Sequence, residues 1–130
     1  MVKQVTIDSS VIISSLLRQK KRHQEACDLW NRVIAGDWFA VMPYSILVEV
    51  VAAVRRRTGS ETLAKEVQKQ LLALDNLSFM PLDDRAAQKA ADIAAKTGLR
   101  GMDALVIQVA KEFKTELISF DVEMMEKARL

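Results

Sequence analysis

Cysteine and histidine are almost missing from this chain, with Cys27 and His23 the sole representatives. A single cysteine cannot close an internal disulfide, which suits a reducing compartment. One cysteine and one histidine also provide no ligand set of the kind that holds zinc. His23 stands among Lys20, Lys21, Arg22 and Gln24 and reads as a surface residue, while Cys27 lies beside an apolar helical stripe and reads as packed. Aromatic residues make up only 5%. Trp30, Trp38, Phe39, Tyr44, Phe79, Phe113 and Phe120 fall mostly on core faces or strands and suggest no base-stacking platform. No apolar run approaches the length of a membrane span. Asp8 interrupts the stretch from Met1 to Leu17, and the basic cluster follows that stretch, the wrong order for a secretory signal. A cytoplasmic protein without membrane contact is the expectation.

The chain does have enough apolar residues for a core: half of its 130 residues are hydrophobic, as expected of one domain over residues 1–130. Val2 to Ile7 is β-branched and loosely alternating, a strand pattern. Trp38 to Met42, Leu77 to Met80 and Leu117 to Phe120 give three more strands, the first of them closed by Pro43. Helical patterns fill the intervals. They cover Val11 to Leu17, the stripe Ala26, Leu29, Trp30 and Val33, Ile46 to Val54, the stripe Leu63, Val67, Leu71 and Leu74, an Ala-rich helix from Asp83 or Asp84 to Gly98, and Gly101 to Phe113. A short helix from about Val122 closes the chain. Strands alternating with helices predict an α/β fold with a central parallel sheet flanked by helices.

Four acids invite a chemical reading. Asp8 and Asp121 each sit between an expected strand and a helix, where Asp is a favoured N-cap. Asp103 lies in a first helical turn, where the helix dipole welcomes a carboxylate. Position alone therefore explains all three as structure. Their surroundings say more. Asp103 is the only charged residue from Gly101 to Ala110, on a helix that reads as buried. Glu49 lies mid-helix, so capping cannot explain it, and Ser45, Ile46, Ala52 and Ala53 offer no cation three or four positions away. In open α/β sheets ligands bind beyond the carboxyl ends of the strands, a cleft that can gather all four. Two unit charges about 4 Å apart repel by roughly 4 kcal/mol at an effective dielectric of 20. Such a group must protonate, spread apart or bind a cation. Oxygen donors alone favour Mg²⁺ or Mn²⁺ over zinc.

These segments resemble a known family. Val5-Thr6-Ile7-Asp8-Ser9-Ser10-Val11-Ile12, Val48-Glu49-Val50, Met102-Asp103-Ala104-Leu105 and Ile118-Ser119-Phe120-Asp121 are similar, in order and spacing, to the PIN-domain ribonucleases and to the VapC toxins among them. Ser119 stands where the family often has Thr, and the hydroxyl is kept. The resemblance implies a PIN-like three-layer fold, Mg²⁺- or Mn²⁺-dependent endoribonuclease activity through metal-activated water, a homodimer and a VapB-type antitoxin partner. It assigns Asp8, Glu49, Asp103 and Asp121 as metal ligands and catalytic residues. Ser9 and Ser119 could orient a carboxylate or water.

Charge points the same way. The net charge is +2, so four acids in one pocket leave about +6 on the remainder, a distribution suited to a phosphate polymer such as RNA. Arg18, Lys20, Lys21 and Arg22 form one candidate phosphate patch, and Arg55, Arg56 and Arg57 another, though the latter also suits a helix C-terminus. Two other functions compete, besides a degenerate PIN scaffold that only binds, against which the presence of all four acids argues. One is a PIN nuclease of RNA processing with no toxin role. The other is a receiver-like Mg²⁺-binding signalling module, with Asp83 as phosphoacceptor and no part for Glu49.

Overall fold

The computed structural model describes residues 2–129, so the ends of the expected domain, Met1 and Leu130, lie outside the described residues. Four strands appear in chain order: β1 (Lys3–Ile7), β2 (Trp38–Pro43), β3 (Leu77–Met80) and β4 (Glu116–Ile118). Seven helices connect them among the described residues: α1 (Ser9–Leu16), α2 (His23–Ile34), α3 (Tyr44–Thr58), α4 (Glu61–Ala73), α5 (Asp84–Thr97), α6 (Gly101–Phe113) and α7 (Val122–Lys127). No described helix is long and apolar enough to cross a membrane.

All strand pairs are parallel, in the order β3-β2-β1-β4. The first two crossovers step outward from β1 to β2 to β3, and the third returns past them to β4. Right-handed crossovers running in opposite directions place their helices on opposite faces. Accordingly α1 packs with α2 and α3, and α3 with α4, while α5 packs on α6, which covers β1 and β2. The core between these layers is aliphatic: Val5, Ile7, Ala40 and Met42 from the sheet meet Ile46, Val50, Val106 and Ile107. Thr6 is buried within the sheet, and its hydroxyl donates to the Val41 carbonyl at 2.8 Å.

Three details depart from the sequence expectations. α3 starts at Tyr44, ahead of the expected Ile46, and runs through Arg55, Arg56 and Arg57 to Thr58. Arg55, Arg56 and Arg57 are good helix formers, favourably placed against the helix dipole in its last turn. The helix stops only at Gly59, whose φ of 70° is left-handed. β4 ends at Ile118 instead of Phe120. Its partner β1 ends in register at Ile7, so no ladder remains for Ser119 and Phe120. The Phe120 N–H turns to Ser10 Oγ at 3.2 Å, and the Asp121 N–H to Ser119 Oγ at 3.0 Å. His23, expected at the surface, is partly buried with Nδ1 2.8 Å from the Ser14 carbonyl. Cys27 is also partly buried, with Sγ 3.5 Å from His23 Nε2.

Candidate active site

The reversal between β1 and β4 creates a crevice at the carboxyl ends of these neighbouring strands. Crossovers leave their ends toward opposite faces, so no helix fills the space directly beyond them. The chain leaves β1 at Asp8, whose N–H still bonds the Ile118 carbonyl of β4 at 2.9 Å. Asp8 is thus fixed at the mouth of the crevice.

Asp8 occupies the N-cap position of α1 with extended φ and ψ, but its side chain caps nothing. Asp8 as a whole is only 6% exposed. Its Oδ2 accepts from Ser10 Oγ at 2.9 Å and from Ser119 Oγ at 3.0 Å. Among the described residues no protein donor reaches Oδ1. The ordinary reason for an Asp before a helix therefore does not account for Asp8. Instead, hydroxyls from the two ends of the chain hold one oxygen and leave the other presented.

Glu49 and Asp103 face it from the layers on either side. Glu49 projects from the second turn of α3 and Asp103 from the first turn of α6. Burial raises the pKa of Glu49, and the charges of Asp8 and Asp103 raise it further. The Ser9 hydroxyl and the charge of Arg100 offset part of this. Asp103 is likewise raised, first by burial and then by Asp8, with smaller contributions from Asp121 and Glu123, while Arg100 opposes them. Arg100 Nε lies 3.9 Å from Asp103 Oδ2, but its side chain is 88% exposed, so solvent screens the pair. Asp121 differs from Asp8: its Oδ1 does cap α7, accepting from the Met124 N–H at 3.1 Å.

Asp8, Glu49 and Asp103 thus feel one another's charge, and the charge of Asp121 is felt at Asp103. Among the described residues, however, no three His, Cys, Asp or Glu side chains are drawn together tightly enough to enclose an ion. A spread arrangement is what mutual repulsion favours. The donor chemistry fits a hard divalent cation: every donor is a carboxylate oxygen, and Asp8 offers one without a protein partner.

Sequence reasoning missed three residues here. Ser10 holds Asp8 as Ser119 does, and the adjoining Asp8-Ser9-Ser10 run was the available signal. Arg100 was legible three positions before Asp103. Glu123, paired with Lys127 within α7, adds the smallest of the charge effects on Asp103. Asp83 lies elsewhere: its Oδ1 caps α5 through the Ala86 N–H at 2.8 Å. That role, together with the strand order, removes the phosphoacceptor arrangement of a receiver module. Arg55, Arg56 and Arg57 are exposed in the last turn of α3.

The PIN domain sequence profile matches residues 5–130. The chain belongs to the PIN-domain family. Solved structures agree on the fold. VapC20 of Mycobacterium tuberculosis, a toxin that cleaves the sarcin-ricin loop, superposes with a TM-score of 0.80 at 16% identity, over 94% of this chain and 93% of that one. FitAcB of Neisseria gonorrhoeae gives 0.70 at 17% identity, over 97% and 94%. PAE2754 of Pyrobaculum aerophilum gives 0.63 at 21% identity, over 98% and 87%. No curated protein matches in sequence. At these identities the likeness to the solved structures is one of fold. Within the PIN fold of this chain, Asp8 stands at the crevice beyond β1 and β4, within reach of the charges of Glu49 and Asp103.

Proposed function

We propose that this single PIN domain is a Mg²⁺- or Mn²⁺-dependent endoribonuclease, the toxin of a VapBC-type pair, acting in the cytoplasm as a homodimer restrained by a VapB-type antitoxin. One observation carries the catalytic part of this reading. Asp8, buried at the strand switch point, does not cap its helix but is held by Ser10 and Ser119 facing Glu49 and Asp103. A pocket of like charges inside a basic molecule has little structural use and is suited to a phosphodiester met together with a cation. Family membership supports a nuclease. The toxin reading draws on the fold shared with VapC20 and FitAcB.

Asp8, Glu49, Asp103 and Asp121 would hold the ion. When bound, a divalent cation polarises phosphate oxygen and lowers the pKa of coordinated water. The residues of this chain supply the preorganisation. Ser10 and Ser119 fix the plane of the Asp8 carboxylate. Asp121 is oriented by its own cap bond from the Met124 N–H. The hydrophobic layers behind Glu49 and Asp103 favour their neutralisation by a cation over solvation. The PIN nuclease without a toxin role shares this entire site.

The test is sequencing of RNA ends after expression of wild type and Asp103→Asn, with purified protein assayed in Mg²⁺, Mn²⁺ and chelator. Wild type should produce discrete new ends bearing 5′-phosphates, and chelator or Asp103→Asn should abolish them. Full cleavage by Asp103→Asn would overturn the site assignment. Co-purification with the product of an adjoining small gene would separate toxin from RNA-processing enzyme.

A further inference from the structure

We propose that Arg22 and Phe120 form a subsite for one unpaired nucleobase, beside the bond that the acid pocket cuts. The inference rests on the nuclease reading above and adds to it the strand state and register of the substrate. The sequence suggested no stacking platform; the tertiary structure builds one from residues far apart in the chain.

The Arg22 guanidinium lies 3.7 Å from the centroid of the Phe120 ring. That is a stacking distance, well inside the 5.1 and 5.4 Å of the Lys3 and Arg32 contacts on Trp38. Arg22 Nε and Nη2 fork onto the Glu25 carboxylate at 2.9 and 2.7 Å. One face of the guanidinium is therefore covered by the ring and one edge is occupied by the carboxylate. The side chain nonetheless remains 47% exposed, which leaves its outer face open. The location is tied to the pocket by a short relay. The Phe120 N–H donates to Ser10 Oγ, Ser10 Oγ donates to Asp8 Oδ2, and Asp121 is the next residue in the chain.

Chemistry selects the ligand. A phosphate would seek a forked N–H edge of an arginine, and Glu25 already takes the Nε–Nη2 edge. The remaining N–H groups can meet a flanking phosphate, and the outer cationic face suits the π-face of a base. A base inside a duplex has both faces occupied by its neighbours, so the subsite takes an unpaired one. Lys20, Lys21 and Arg18 on the same loop supply charge for the flanking phosphates. As a structural device alone, an exposed ion pair between residues 22 and 25 contributes little.

The test begins with a single-stranded oligoribonucleotide that the full-length wild-type chain cuts, with the cut mapped. The full-length Asp103→Asn protein is then titrated with the same sequence carrying 2-aminopurine at each position in turn. One position next to the cut should change its emission on binding. Adding Arg22→Lys, which keeps the charge and loses the plane, should abolish that change and weaken binding about tenfold. With an abasic nucleotide at that position, the proteins with and without Arg22→Lys should bind equally. If no position responds, or if Arg22→Lys weakens intact and abasic strands alike, the subsite is overturned and Arg22 only supplies charge or holds its loop. A wild-type chain that binds RNA without cutting it overturns the nuclease reading and the register that depends on it, while the emission scan of the bound strand still reads whether a base stacks on Arg22. One that binds no RNA overturns both.

Discussion

Individual carboxylates in this chain look alike in sequence and differ in what their oxygens touch. Asp83 and Asp121 cap helices, whereas Asp8 stands at a cap position and does not. Glu49 and Asp103 have raised pKa values, each owing first to burial and then to neighbouring acids. A carboxyl that holds its proton more tightly when folded contributes most to stability at low pH, where folded and unfolded forms are both protonated. That contribution is lost as pH rises from the ordinary carboxylate range through the raised folded value. Ion-free protein should therefore unfold at a higher temperature when neutral solution is moderately acidified, before other carboxylates protonate. Glu49→Gln and Asp103→Asn should each be at least as stable as wild type in chelator and should flatten this pH response. Thermal melts across pH decide it, and a steeper response in either variant would contradict the assigned cause. Glu49 was the acid that sequence alone singled out, since no cap or helical ion pair explained it.

Helix termini separate the two roles that an aspartate can combine. Asp121 caps α7 and also contributes charge to Asp103. Asparagine caps about as well as aspartate, while alanine costs about 1 kcal/mol. Asp121→Asn should thus leave the melting temperature nearly unchanged and reduce cleavage, and Asp121→Ala should lower both. Asp83→Ala, at the head of α5, should lose about 1 kcal/mol of stability and cleave normally. Chemical denaturation paired with an RNA cleavage assay checks all three, and a cleavage defect in Asp83→Ala would mean that the pocket extends beyond the residues assigned to it. Elements were largely legible in the sequence because their periods and stops are local: Gly59 and Gly98 end helices where left-handed backbone is required. The end of β4 was not legible. Ser119 and Phe120 have strand-like neighbours, but β1 has no residue left to pair with them.

For the whole molecule, the decisive feature is the return of the chain to the far side of β1. That step brings Ser119 beside Asp8 across more than a hundred positions. It also places α3 and α6 on opposite sheet faces, so Glu49 and Asp103 approach the same crevice from two layers. A ligand that binds only the folded chain stabilises it in proportion to the logarithm of its concentration over Kd. Mn²⁺ or Mg²⁺ should accordingly raise the melting temperature of wild type with concentration and have little effect on Asp8→Asn or Asp103→Asn. An equal rise in all three would place the ion elsewhere. The amino-acid sequence by itself determined the alternation of strands and helices, the candidate acids and the resemblance to PIN nucleases, because period, punctuation and short motifs are local properties. Only the tertiary structure decided which oxygen of Asp8 is held and which is presented, that Asp121 is also a cap, and that Arg22 lies flat on Phe120. Those depend on contacts between distant segments, whose partners no local pattern records.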